Sequence, residues 1–275
     1  MPELPEVETI VRCLRPHLTG LTVKSVDLRC AKLLRNTNSA VLERLRGKRM
    51  LGLNRRGKII RLDLSGGLTL FFHLKMTGQL LFCRRDAPRD KHTHFVVSFE
   101  NIQKELRFRD IRKFGFILLL KTREAERTAE LRNLGPEPLG LDLPSFLGIL
   151  QSRRGRLKSL LLNQGFIAGI GNIYADEILF ESGIHPLTDV SLLRLKDREK
   201  LWKAIPLILA RAIKHRGTSI RDFRDGDGLE GGFQDFLCVY GRESLPCPRC
   251  GAAIKRLRIG GRSSFFCPRC QRQAS

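Results

Sequence analysis

The chain opens Met1-Pro2-Glu3-Leu4-Pro5-Glu6-Val7-Glu8-Thr9. Once Met1 is removed, the ring nitrogen of Pro2 is a free secondary amine. A neutral amine can attack an electrophilic carbon and form an iminium, the Schiff-base form of nucleophilic catalysis. Glu3 is its neighbour and Glu6 lies three residues on, a spacing that puts both carboxylates on one helix face. One of them can supply the proton that amine chemistry needs. The same residues also make a sound helix start, because proline suits the first turn and acidic groups complement the helix dipole. On this stretch alone both readings stand.

A second chemical signal lies at the other end. Cys247-Pro248-Arg249-Cys250 and Cys267-Pro268-Arg269-Cys270 are two CxxC pairs separated by 16 residues. That spacing fits one structural zinc ion, with four thiolates closing a tetrahedron and leaving no open position for catalysis. Two redox pairs are the alternative, but no thioredoxin-like βαβ pattern surrounds them. Lys255, Arg256, Arg258 and Arg262 lie between the pairs with Phe265 and Phe266. Such a zinc-stiffened hairpin can present cations to phosphates; for any single cation, solvated surface charge is the alternative.

Two further segments are ambiguous by themselves. Gly165-Phe166-Ile167-Ala168-Gly169-Ile170-Gly171-Asn172 reads as a tight turn between helices, with Asn172 as the N-cap and N–H groups able to grip a phosphate. The run from Arg107 to Gly115 mixes cations with phenylalanines, which suits nucleic acid or a core strand with charged flanks.

These residues need elements to hold them. Val7, Ile10, Val11 and Leu14 recur at helical spacing, so residues 5–17 read as an amphipathic helix ending near Pro16. Strands follow at 21–26, 58–64, 68–74, 95–99, 105–108 and 114–120. Turns fall at Ser65-Gly66-Gly67 and Glu100-Asn101, and a short helix at 39–46. This is the pattern of a sandwich or barrel-like β domain. Leu134-Gly135-Pro136-Glu137-Pro138-Leu139-Gly140 breaks it as an interdomain linker. Helices are then expected at 145–151, 155–162, 172–182 and 192–216, the last kinked at Pro206. A glycine-rich loop follows at 226–232. The domain reading is therefore 1–133, a linker at 134–144, a helical domain at 145–237 and a zinc module at 238–275.

Composition bounds the partners. Fifty Lys+Arg against 28 Asp+Glu over 275 residues give a net charge of +22, which points to a polyanion, most simply nucleic acid. No apolar run is long enough to span a bilayer, and the acidic start lacks a signal-peptide pattern. A cytoplasmic, nucleoid-associated protein with no membrane partner is expected. Cys13, Cys30, Cys83 and Cys238 are too scattered to suggest a disulfide framework.

Taken together, the opening Pro2–Thr9 octapeptide, Gly169-Ile170-Gly171-Asn172-Ile173-Tyr174-Ala175, Val239-Tyr240-Gly241-Arg242 and the four-cysteine tail closely resemble the bacterial formamidopyrimidine-DNA glycosylase family. The matches run in order along the whole chain. The resemblance implies an α+β multidomain protein. It has an N-terminal β-sandwich with an N-terminal helix, and a C-terminal helix–two-turn–helix domain with a four-cysteine zinc finger. It implies a monomer that binds double-stranded DNA containing oxidised purines or abasic sites in a cleft between its domains. By that similarity Pro2 attacks C1′ of the damaged nucleotide and Glu3 protonates the sugar oxygen. The iminium then drives β and δ elimination of the flanking phosphates. Lys58 would stand near the lesion phosphate, with Glu6 as a supporting carboxylate. Because the base must be extruded, Met76, Arg112 and Phe114 would fill the vacated stack. His92, Asn172 and Arg262 would grip phosphates, Arg262 as part of the catalytic set, with Lys158 and Tyr240 as further DNA contacts. The loop at 218–232 would close over the flipped base, its glycines serving a mobile lid.

The chain departs from the family pattern at Lys75, where glycine is common, at Ile111 (proline), at Lys113 (arginine) and at Ser159 (proline). The added charges bear on lesion and opposite-base preference, not on reaction type. Two other functions stay in view. One is the sister specificity for oxidised pyrimidines, against which Leu4 speaks; the other is a non-catalytic zinc-finger DNA-binding protein.

Overall fold

The apolar stripe Val7, Ile10, Val11 and Leu14 is fully buried on α1 (Leu4–Leu18). The computed structural model that shows this describes residues 1–35, 39–125, 127–220 and 222–272. The helix runs two residues past Pro16. Proline removes one N–H and crowds the preceding turn, but so near the C-terminus little helix remains to be disturbed.

Among the described residues nine strands follow: β1 (Val23–Leu28), β2 (Leu34–Arg35), β3 (Met50–Arg56), β4 (Ile59–Leu64), β5 (Leu68–His73), β6 (Gly78–Arg84), β7 (Thr93–Phe99), β8 (Lys104–Asp110) and β9 (Phe116–Lys121). They form a five-stranded sheet, β2-β9-β5-β4-β3, and a four-stranded sheet, β1-β7-β8-β6. All pairings are antiparallel except β2 with β9. Phe72 of one sheet meets Phe95 and Phe108 of the other at 5.8 Å between ring centres, so the β domain is a sandwich. Each such buried phenylalanine contributes about 2–3 kcal/mol of burial energy. The sequence reading missed the two-residue β2 and, of the longer strands, β3 and β6. Gly52 and the flanking charges blur alternation in β3, and β6 follows directly on the Met76-Thr77 turn.

Two short helices, α2 (Thr122–Ala125) and α3 (Ala129–Arg132), lead out of the sandwich. Beyond them come α4 (Leu143–Gln151), α5 (Leu157–Leu162), α6 (Asn172–Ser182) and α7 (Leu195–Lys214), then the hairpin β10 (Lys255–Ile259) and β11 (Arg262–Phe266). Asp142 caps α4 by accepting the Ser145 N–H at 2.9 Å. Gly183, left-handed at φ 71°, ends α6. Pro206 does not interrupt α7, which continues through it for about two more turns. The segment at 39–45 is 3₁₀ rather than α-helical.

The chain divides into two units, Met1–Arg132 with His215–Gly232, and Asn133–Lys214 with Phe233–Ser275. This differs from the sequence division in two ways. The stretch after α7 belongs with the sandwich, and the zinc module belongs with the helices.

Candidate active site and nucleic-acid contacts

In the sandwich unit, Glu3 is the N-cap of α1 and Pro2 is buried just before it. Glu6 is 2 % exposed and bridges two backbone donors. One carboxylate oxygen accepts the Glu3 N–H at 2.7 Å and the other the Thr218 N–H at 2.8 Å. Glu6 therefore fixes the backbone of the residue next to the proline. Gly217 makes this possible: a Cβ there would lie 2.8 Å from the Glu6 oxygen.

Lys58 is also buried, in the two-residue Gly57-Lys58 turn that joins β3 to β4 rather than within a strand. His73 sits opposite Ile59 on β5. Burial, and then the charges of Lys75, Lys58 and Arg35, push the His73 imidazole down to about 3. It is thus neutral, and its Nδ1 accepts the Lys75 N–H at 3.0 Å. Burial and the neighbouring Arg35 lower Lys75 as well.

Met76, Arg112 and Phe114 lie on two loops, β5–β6 and β8–β9. Met76 and Phe114 are 41 % and 51 % exposed, with Ile111 at 40 %; the Arg112 guanidinium lies 4.6 Å from the Phe114 ring centre. Large apolar groups left in water beside a cation suit insertion into a base stack. One carboxylate ties the loops together. Asp110, fully buried, accepts from Thr77 Oγ1 at 2.5 Å, from the Arg112 N–H at 3.2 Å and from the Gly115 N–H at 2.7 Å. Lys75 and Lys113, one on each loop, are left-handed at φ 50° and 55°. A non-glycine residue there costs about 1–2 kcal/mol, which gives the family's glycine at the first position a physical reason. By contrast Arg107 is buried against Glu105 at 2.6 Å and Phe108 belongs to the core. The 107–115 run is therefore core strand first and exposed loop only from Ile111. His92 is half-buried, its carbonyl accepting the Asp110 N–H at 2.9 Å.

The segment at 218–232, in which Arg221 lies outside the described residues, is bound to the rest of its unit at both ends: besides the Thr218 bond to Glu6, Gln79 Nε2 donates to the Asp222 carbonyl. Phe82 donates to the Gly226 carbonyl at 2.9 Å. Asp225 accepts from Arg216 Nε at 2.9 Å and from the N–H groups of Asp227 and Leu229 at 3.0 Å. A Cβ on Gly226 would lie 2.6 Å from Leu14. Its glycine is thus required by close packing.

In the helical unit, Asn172 is the first residue of α6 and Gly171 its N-cap, which corrects the capping role expected of Asn172. The Asn172 Nδ2 donates to the Ser263 carbonyl at 2.9 Å, beside the exposed Arg262 at the start of β11. Tyr240 meets Phe265 of β11 edge-on at 5.3 Å. Asn172, Tyr240 and Arg262 are therefore neighbours of one hairpin. Lys158 is placed otherwise than a surface DNA contact would be. It is 1 % exposed, donating to Asp176 at 2.6 Å and to the Asn172 carbonyl at 3.1 Å. Asp176 also accepts from Ser264 Oγ at 2.6 Å and the Phe265 N–H at 3.1 Å. Glu177 accepts the N–H groups of Cys238, Val239 and Tyr240 at 2.9–3.0 Å. Two consecutive carboxylates of α6 thus hold the hairpin and its lead-in. Neither these nor Asp110 stood out in the sequence, because their partners are tertiary.

The four tail cysteines converge. Every Sγ lies within 4.8 Å of the others, with Cys247 and Cys270 at 3.9 Å and Cys250 and Cys267 at 3.5 Å. A tetrahedral zinc with bonds of about 2.3 Å sets its sulfurs about 3.8 Å apart, so the four thiolates fit one structural Zn²⁺. The four scattered cysteines form no disulfide. Among the described residues no helix is long and apolar enough to cross a membrane.

Comparison with known proteins agrees at every level. Residues 1–117 match the formamidopyrimidine-DNA glycosylase N-terminal domain, 134–224 the H2TH domain of the same enzymes, and 244–273 the zinc finger found in FPG and IleRS. A formamidopyrimidine-DNA glycosylase of Desulforamulus reducens is 46 % identical over 265 residues, 95 % of both chains. One from Pelotomaculum thermopropionicum is 44 % identical over 264 residues, again 95 % of both. Among solved structures, Lactococcus lactis Fpg in complex with DNA containing an abasic site superimposes with a TM-score of 0.92 at 35 % identity, covering 98 % of this chain and all of that one. The MutM (Fpg) protein of Thermus thermophilus gives 0.88 at 38 % identity, with both chains fully covered.

Proposed function

Since the chain belongs to the formamidopyrimidine-DNA glycosylase family, we propose that it removes oxidised purines from duplex DNA and cuts the strand at the resulting site. The observation that carries this reading is the buried Pro2 beside Glu3, whose N–H Glu6 holds and so sets the position of Pro2. Relatives solved with DNA containing an abasic site or Fapy-dG support the substrate class.

The chemistry follows from the residues. With Met1 removed, the Pro2 nitrogen forms a bond to C1′, and the damaged base leaves with the glycosidic electron pair and takes up the proton that the nitrogen gives off. Glu3 protonates the ring oxygen O4′, the C1′–O4′ bond breaks, and an iminium remains. The iminium acidifies C2′–H. Loss of that proton expels the 3′ phosphate, and a second elimination expels the 5′ phosphate from C5′. Water then frees Pro2. A Lys58 ammonium beside the lesion phosphate would offset its charge. Met76 and Phe114 would fill the space left by the extruded base, with Arg112 bonding the unpaired partner base. Arg262, Asn172 and Tyr240, with His92 on the other unit, would hold phosphates. Lys158 would act through the hairpin it supports, and the zinc ion would keep that hairpin rigid.

The test compares strand incision on duplexes carrying 8-oxoguanine, Fapy-dG, thymine glycol or an abasic site. Cleavage of the two purine lesions and the abasic site is expected, with thymine glycol far slower. Preference for thymine glycol would move the chain to oxidised pyrimidines. Tight, salt-sensitive binding without scission of the abasic duplex would make it a DNA-binding protein only.

A further inference from the structure

The helical unit carries a concave surface at the C-terminal end of α6. A cleft of about 450 Å³ opens between the turn after α6, the start of α7 and the second cysteine knuckle, within the size range of ligand sites. It lies at the C-terminal end of α6. Asn172 is at the other end, about 16 Å away along a helix rising 1.5 Å per residue.

Three features of the cleft point to a ligand. Thr188 in its lining is 4 % exposed, and its Oγ1 has no hydrogen-bond partner. A buried hydroxyl left so is costly and uncommon. Lys200, Arg269 and Arg272 line the same cleft without a carboxylate partner among the described residues. A fourth cation, Arg194, is paired with Asp197 at 3.1 Å. Finally, part of the wall is apolar, formed by Ile184 and Leu193, with Leu192 on the rim at 54 % exposure.

We propose that this cleft binds a short acidic peptide segment of a partner protein, one that carries an apolar side chain next to a carboxylate. Three cations without a carboxylate partner, of which Arg269 also donates to the Cys250 carbonyl at 3.5 Å, select for negative charge. The apolar wall takes the side chain, and the Thr188 hydroxyl donates to the carboxylate. A duplex backbone is a poorer match, since it offers phosphates on a convex surface and nothing apolar to fill the pocket. An enzyme holding DNA through Arg262 and Asn172 keeps this face available for a protein.

The probe is a fluorescein-labelled pentapeptide of four aspartates followed by phenylalanine with a free terminal carboxylate. Its binding to the full-length, zinc-loaded protein is followed by anisotropy at physiological salt. Saturable binding is expected. It should weaken by roughly tenfold or more in the Lys200→Ala/Arg269→Ala double variant, and by about fivefold in Thr188→Val. Thr188→Val removes an unpartnered hydroxyl and keeps the shape, so its melting temperature should not fall. Incision of lesion duplex should be unchanged in both variants. The proposal is overturned by any of four results: no saturable binding; equal binding by the variants; equal binding of a peptide lacking the phenylalanine; or a parallel loss of duplex affinity in the double variant, which would assign the cleft to nucleic acid.

Discussion

Replacing Glu6 by glutamine changes one atom type at the point where the N-terminus is held. The two carboxylate oxygens face the Glu3 and Thr218 N–H groups at 2.7 and 2.8 Å. Glutamine offers one oxygen and one NH₂, so one backbone donor must face another donor in a site only 2 % exposed. Hydrogen bonds to a buried charged group contribute about 1.5–3 kcal/mol each, and an unmet buried donor costs about 1–3 kcal/mol. Losing one bond and weakening the other should cost roughly 3–4 kcal/mol. For a unit of about 150 residues each kcal/mol lowers the melting temperature by about 2–4 °C, so a drop of roughly 6–16 °C is expected. Scanning calorimetry of the full chain measures it, with Glu100→Gln, an exposed carboxylate of the same unit, as the control. Because Glu3 follows Pro2 directly, single-turnover borohydride trapping on abasic duplex should slow by roughly tenfold or more. A variant melting within about 1 °C of the parent would refute the bridge. A variant that melts lower but traps at the parental rate would refute its role in placing Pro2.

Lys158→Met should leave Asp176 buried without its ammonium partner and destabilise the helical unit by about 3–5 kcal/mol; denaturant unfolding and faster zinc release would report it, and parental stability would show the pair to be dispensable. His73, held down at about 3 by burial and its cationic neighbours, takes a proton in the unfolded chain near pH 6.5 but not in the folded one. Its contribution to stability is therefore full above about pH 6.5 and is lost as pH falls toward 3, by up to about 1.4 kcal/mol per pH unit. Subtracting the stability–pH curve of His73→Gln from that of the parent should isolate this slope, and parallel curves would contradict it. Removing zinc with a chelator should unfold the cysteine knuckles and weaken duplex binding while the sandwich keeps its melting transition; unchanged affinity would show that the hairpin does not grip DNA.

What the sequence disclosed was local. The CxxC pairs declare a zinc site by spacing, and the Pro2-Glu3 start sets an amine beside a carboxylate, open to amine chemistry or to a plain helix start, because adjacency in the chain is adjacency in space. The apolar stripe of α1 and the Ser65-Gly66-Gly67 hairpin were legible for the same reason. What stayed hidden depends on distant partners. Glu6 could be named as a supporting carboxylate, but its bond to Thr218 joins residues 212 apart. Asp110 links two loops, and Asp176 and Glu177 hold the zinc hairpin, through partners that no periodicity marks. The resemblance makes Lys158 a DNA contact, and only its pairing with Asp176 shows it to be internal. Glycine is ambiguous in a similar way. At 217 and 226 it serves close contact with Glu6 and Leu14, and in a sequence that need looks the same as a need for motion.

The central claim concerns which atom bonds to deoxyribose. It is tested most directly by reducing the enzyme–abasic DNA intermediate with borohydride, digesting the protein and determining the mass of its N-terminal peptide. The account predicts a peptide that begins at Pro2, lacks Met1 and carries the sugar remnant on its first nitrogen. An adduct on a lysine such as Lys58, or on a chain that still begins with Met1, would contradict it.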